Sequence, residues 1–190
     1  MVNIIFGGSS KPSYRHSIKL HNRDVNSVFT HLVEPLLWSE IPITFGQRYH
    51  WVHLPRLGAY PLVVNPVIRK IRLARVLIDG GSALNIIFSK TLEDMGFDMT
   101  MLVPLDQAFY GVIPGAGSTP VGKVTLPVTF GTRDNYRTES IIFEVAPFET
   151  SYHAILGRPA LAKFMAIPNH TYLLLKMPAP NGVLSIHGDI

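Results

Sequence analysis

Proline and glycine recur too often in this chain to leave room for long helices. The 190 residues hold 15 of each. Prolines such as Pro61, Pro66, Pro104, Pro114, Pro120, Pro127 and Pro147 fall between short apolar runs. Proline lacks a backbone donor and clashes with a preceding helical turn. Breaks at this spacing bound strands better than helices. The runs read as strands at Ile41 to Phe45, at Pro61 to Ile68 with a kink at Asn65-Pro66, and at Ile71 to Ile78. The last of these alternates at first and then becomes continuously apolar at Val76-Leu77-Ile78, as a strand does in passing from half-buried to fully buried.

A second buried run covers Leu84 to Phe88. Ser89 is expected to cap a short helix through Met95, with Gly96 as its left-handed stop. Strands follow at Phe109 to Ile113, Lys123 to Phe130, Ser140 to Val145 and His153 to Leu156. Pro159 is placed to open a second helix, anchored by Leu161, Phe164 and Met165. The tail strands, Tyr172 to Lys176 and Val183 to Ile186, bracket Pro180-Asn181-Gly182. Asn-Gly is a hairpin signal, here in a connection longer than two residues. The pattern predicts an all-β fold, a barrel or sandwich with one or two short helices. Residues 1–42 are expected to be a poorly ordered leader: Gly7-Gly8-Ser9-Ser10 before Pro12 reads as a turn or linker, and Val28 to Leu37 as a short helix closed by Pro35. The folded domain is expected over 43–190.

Composition narrows the function classes. The chain is 47% hydrophobic and 16% charged, against about 25% charged in an ordinary globular chain. A chain this long buries roughly two-thirds of its unfolded surface, enough for a core. The net charge of +4 favours anionic partners without naming one. Cysteine is absent, which excludes disulfides and thiolate zinc sites. Met1 to Lys11 does not read as a signal peptide, and no run approaches the ~18 apolar residues of a membrane span. An intracellular, cytoplasmic, non-secreted protein without membrane contact is the expectation.

The chemistry centres on Val76-Leu77-Ile78-Asp79-Gly80-Gly81-Ser82-Ala83. An acid ends a buried strand on a glycine turn, ahead of a second buried strand. Taken alone, this is equally a plain hairpin, because Asp-Gly between apolar runs is itself a turn signal. Two later features bear on the choice. Ala154-Ile155-Leu156-Gly157-Arg158 sets a buried strand, a glycine and then a helix. Between the two lies Tyr110-Gly111-Val112-Ile113-Pro114-Gly115-Ala116-Gly117, a glycine-rich hairpin tip suited to a mobile flap.

That order, acid turn, short helix, flap, then apolar–Gly–Arg–helix, resembles the retropepsin domain. It is most similar to the aspartic-protease region of Gypsy-class long-terminal-repeat retrotransposon (gag-pol) polyproteins of plant type. The resemblance is carried by Arg75 to Ser82, Pro127-Val128-Thr129-Phe130-Gly131, Tyr152 to Leu161 and Lys176 to Gly182, and runs from about Ile43 to the C-terminus. It implies a closed acid-protease barrel that pairs with an identical copy, each copy contributing one Asp, here Asp79. Two facing carboxylates then share a proton. The ionised one activates water and the protonated one polarises the scissile carbonyl. Gly80, Gly81 and Ser82 would form the active-site loop. Tyr110, Gly111, Val112, Ile113, Gly115 and Gly117 would form the flap over an extended peptide or polyprotein. Ile155, Leu156, Gly157 and Arg158 would support the loop. The sequence departs from the family at Gly80, where active members carry Thr or Ser, so cleavage is expected to be weakened or lost. A non-catalytic peptide-binding or dimerisation module is the alternative.

Other signals lead less far. His50-Trp51-Val52-His53 places no third metal ligand, and neither a metal nor a cofactor is expected. No dinucleotide or phosphate loop is completed at Gly115 or Gly122, and Gly81-Ser82 lacks the second glycine of a nucleophile elbow. Arg69, Lys70, Arg72 and Arg75 form a basic stretch on a predicted hairpin, which would suit a nucleic-acid-binding barrel. With no aromatic residue interleaved for base stacking, a solvated strand face is the reading adopted. Asn169-His170-Thr171 matches a glycosylation sequon but has no secretion signal to give it meaning.

Overall fold

A computed structural model of the chain describes residues 38, 40–105, 109–110, 117–148 and 150–190. Most of the expected leader, and the centre of the expected flap, lie outside them. The folded unit is Glu40–Ile190. Its first segment is not the expected strand. Ile41 to Phe45 joins no ladder and runs into a single 3-10 turn, Gln47–Tyr49. Pro42 offers no N–H to a ladder, and side chains hold the segment instead: Phe45 stacks on Tyr172, and His50 meets the same ring edge-on.

The run kinked at Asn65-Pro66 becomes β1 (Val63–Val64) and β2 (Val67–Ile68). β3 (Ile71–Arg72) turns back on β2 through Arg69-Lys70, with Arg69 at φ 57°. The expected single strand from Ile71 to Ile78 is two. Arg75 adopts φ 54°, its N–H bonded to Asn65 Oδ1 at 3.1 Å, and β4 (Val76–Ile78) starts afresh with different neighbours. β5 (Ile86–Phe88) leads into α1 (Ser89–Asp94). Ser89 lies inside this helix rather than capping it; Phe88 holds the cap position, with no side-chain bond. Gly96 supplies the left-handed stop at φ 68°.

β6 (Phe109–Tyr110) and β7 (Gly117–Ser118) pair as a two-rung ladder. β8 (Gly122–Thr132) and β9 (Asn135–Ala146) then pair along their whole length around Arg133-Asp134. Gly131 permits this turn: at φ 105°, a Cβ there would lie 2.2 Å from the carbonyl of Asn135. β10 (Ala154–Leu156), α2 (Arg158–Phe164), β11 (Ile167–Asn169), β12 (Leu174–Ala179) and β13 (Gly182–His187) complete the chain. The tail hairpin is tighter than expected. Pro180 and Asn181 are its two turn residues, and Gly182 follows at φ 103°. Among the described residues no helix is long and apolar enough to cross a membrane.

The main sheet has the order β1-β4-β10-β5-β9-β8-β2-β3. Only Asn65-Pro66 separates β1 from β2, yet β1 is one end of this sheet and β2 is next to the other. The sheet must therefore curl on itself, and the chain rather than a ladder closes it. Alternation in β8 and β9 turns Val124, Leu126, Val128, Phe130, Ile141, Phe143 and Val145 inward. Each such side chain contributes about 1.5–3 kcal/mol on burial. A second sheet, β11-β12-β13, adds a strand buried at every residue, β12. The fold is all-β with two short helices, as the sequence predicts.

Candidate functional site

The strands flanking the Asp79 turn do not pair with each other. β10 lies between them, parallel to β4 and antiparallel to β5, with Ile155 opposite both Leu77 and Ile86. The plain hairpin reading is thereby excluded. A turn whose arms are held apart by a third strand stands open at its tip.

Asp79 is pinned at its backbone. Its N–H donates to the Leu156 carbonyl at 3.0 Å, and its carbonyl accepts from the Ser82 N–H at 3.2 Å. Its carboxylate Oδ1 accepts from the Gly81 N–H at 2.9 Å. The side chain is half-buried, and among the described residues no protein group bonds Oδ2. Ser82 turns its hydroxyl inward, donating to the Leu84 carbonyl at 2.8 Å and accepting from the Leu84 N–H at 3.2 Å.

The strand–Gly–Arg–helix segment binds this loop from behind. The Arg158 N–H donates to the Ser82 carbonyl at 2.9 Å. Its guanidinium Nη1 reaches the carbonyl of Gly81 at 2.8 Å and that of Gly80 at 3.4 Å. Gly157 is where the two segments touch: a Cβ there would lie 2.1 Å from the Leu84 carbonyl oxygen and 2.8 Å from that of Ser82. Only glycine fits so close an approach. Gly80 is different, since a Cβ there would meet nothing within 4 Å.

One residue at this site escaped the sequence reading. Asn85 is only 5% exposed. Its Oδ1 accepts from the N–H groups of Gly157 at 2.9 Å and Ala160 at 3.2 Å, and its Nδ2 donates to the Ile142 carbonyl at 3.0 Å. It thus caps α2 from outside the helix and ties it to β9. The available signal was an amide inside the apolar run Leu84 to Phe88, because a buried amide must find partners.

Of the residues expected in a flap, Tyr110 and Gly117 lie opposite each other in the β6–β7 ladder. Gly111, Val112, Ile113 and Gly115 lie outside the described residues. His50 packs on Tyr172 and Trp51 stacks on His187. Among the described residues no three His, Asp or Glu side chains gather as a metal ion would require. In the basic stretch, Arg69 lies over the Phe97 ring and Arg72 donates to the Asn65 carbonyl. The tail hairpin tip bonds back within its own chain: Asn181 donates to Asn135 Oδ1 and to the Asp134 carbonyl.

Chemically, one carboxylate on a rigid, open turn supplies a single acid or base. Among the described residues no hydrogen bond joins it to a second carboxylate. No family model matches the chain, and no match was found among curated proteins. Solved structures do resemble it. The retroviral protease-like domain of Ddi1 from Leishmania major is 17% identical at a TM-score of 0.51, covering 70% of this chain and 96% of its own. A retropepsin-like aspartic protease from Rickettsia conorii is 16% identical at a TM-score of 0.45, over 66% and 81%. At such identity, the likeness to the Leishmania domain is one of fold: the barrel is retropepsin-like.

Proposed function

We propose that the domain is an aspartic endopeptidase acting as a homodimer, with one Asp79 from each copy. The observation that carries this reading is the attachment of Asp79 itself: its backbone sits on β10, and its carboxylate is aimed by the Gly81 N–H at an open tip. Two such turns meeting on a two-fold axis would set two carboxylates against one water. Like charges so close share a proton, and the proton belongs to the pair. The ionised acid takes a proton from water as it attacks the peptide carbonyl, and the protonated acid donates to the carbonyl oxygen. Positioned proton transfer of this kind contributes on the order of 10² to 10⁴ in rate. The β6–β7 hairpin is the flap that would cover an extended substrate. In this reading the chain is the intracellular processing protease of a plant Gypsy-class gag-pol polyprotein, with itself and extended polypeptide as partners.

A second reading rests on Gly80. Without a hydroxyl after the acid, the bond that would tie the two turns together beneath the carboxylates is missing, which suits a barrel that binds peptide or dimerises without cutting. Cleavage of an unstructured peptide library between about pH 4 and 7, by the natural chain and by Asp79→Asn, separates the two. Cleavage abolished by Asp79→Asn is the expected result. A folded dimer that never cleaves would leave the second reading.

A further inference from the structure

Strand β8 has a gap in its outer ladder. Its odd-numbered residues turn their backbone groups away from β9. Lys123 exchanges both bonds with Val103, at 2.8 and 3.0 Å, and the Pro127 carbonyl accepts from the Arg69 N–H at 2.9 Å. Thr129 pairs with Val67 of β2. Thr125 shares this parity, so its N–H and C=O face outward too, and among the described residues no strand lies opposite. The register that sets Val103 against Lys123 would bring Met101 to Thr125. Met101 instead closes a 3-10 turn, Met99–Met101, whose cap Asp98 accepts from the Thr100 N–H.

Beside the gap is a cavity of about 700 Å³ whose walls include Phe97, Met101, Val103 and Ile142. Met101 is 69% exposed, Val103 52% and Ile142 58%. Arg69 and Lys123 also line it, and Lys70 lines the adjoining cavity. Of the carboxylates nearby, Asp98 Oδ1 holds the N–H and hydroxyl of Thr100, and Glu144 stands opposite Lys123 in the β8–β9 ladder. Among the described residues neither Arg69 nor Lys70 forms an ion pair.

We propose that this notch docks an extended peptide segment of a protein partner, added as a short strand at Thr125. An apolar side chain of that segment fills the cavity, and an acidic one meets Arg69 and Lys70. Strand addition draws affinity from main-chain bonds and specificity from the flanking side chains. An open ladder position beside exposed apolar residues, with two cations that form no ion pair among the described residues, matches both. The site is separate from Asp79 and stands whether or not Asp79 cleaves.

The test is amide hydrogen exchange and binding on the Asp79→Asn chain, which leaves the peptides intact. The probes are short unstructured peptides carrying Leu or Ile beside Asp or Glu, with Lys-for-acid peptides as controls. In the free protein Thr125 should exchange fast while Val124 and Leu126, bonded to β9, are protected. Acidic peptides should slow Thr125 and the controls should not. Thr125→Pro removes the donor and should weaken binding about fivefold or more. It should fold, because Pro127 already occupies the same ladder parity. Arg69→Glu should weaken the acidic peptides alone. A Thr125 amide already protected without peptide, equal binding to Thr125→Pro, or no peptide that protects Thr125 would each overturn the proposal.

Discussion

At the scale of single residues, two glycines of the site differ in what they tolerate. Gly157 is enforced by the carbonyls of Leu84 and Ser82, but nothing within 4 Å of a Cβ enforces Gly80, and its φ is outside the left-handed region. Gly80→Thr should therefore be accepted. Replacing a glycine where the backbone allows it stabilises by about 0.4–1 kcal/mol through the unfolded chain, so the unfolding midpoint should rise. In the proposed dimer the new hydroxyl would also supply a group able to bond across the two-fold axis, worth about 1 kcal/mol net per bond. The dimer dissociation constant, measured by sedimentation, should fall and cleavage should increase. A more stable chain whose dimerisation and cleavage are both unchanged would show that Gly80 is not what limits the site.

At the scale of elements, the helix behind the Asp79 loop is clamped at both ends by buried polar side chains. Asn85 holds its start. Arg137, 7% exposed, holds its end, donating to the carbonyls of Lys163, Phe164 and Pro178 and pairing with Glu139 at 2.8 Å. Removing one partner of a buried pair costs about 3–5 kcal/mol, because the other is left uncompensated. Arg137→Met should lose an amount near the lower bound in denaturant unfolding, since Glu139 is 23% exposed and can turn to water. Arg137→Met with Glu139→Gln should recover part of the loss; a double variant no better than the single would mean the unbonded carbonyls dominate. Most elements were legible, because burial writes a period-two pattern into runs such as Lys123 to Phe130 and Ser140 to Val145. Two failures have local causes. Ile71 to Ile78 looked continuous because a left-handed Arg75, stabilised by Asn65 Oδ1 ten positions away, leaves no mark in the pattern. Ile41 to Phe45 had strand-like residues but, with Pro42 lacking an N–H, joined no ladder.

At the scale of the whole molecule, the threading of β10 between β4 and β5 was beyond any local pattern, since pairing across such distances is set by packing. The resemblance supplied it only as an implied fold. The same holds for the buried Lys176, which the tail motif contained without a visible reason for its burial. Lys176 is 1% exposed. Its ammonium donates to the Thr44 carbonyl at 2.6 Å and lies 3.0 Å from the centroid of the Tyr49 ring. The segment that joins no sheet is thus fastened to the most buried strand by a cation set among aromatic faces. Lys176, and next Arg48, lowers the Tyr49 phenol from the usual 10.0 to about 8. A folded pKa below the unfolded one means that ionisation favours the folded clasp. The added stability is absent below about pH 8, grows between about 8 and 10, and is complete above the unfolded value. One of the seven tyrosines should therefore ionise about two units early in an absorbance titration, and Lys176→Met should return it toward 10. Trypsin cleavage after Arg48, normalised to an unfolded peptide of the same sequence, should slow as pH rises through this window in the natural chain and not in Lys176→Met. Equal cleavage in both at every pH would mean that the segment is held by Phe45, His50 and Trp51 against the tail, with the cation incidental to the attachment.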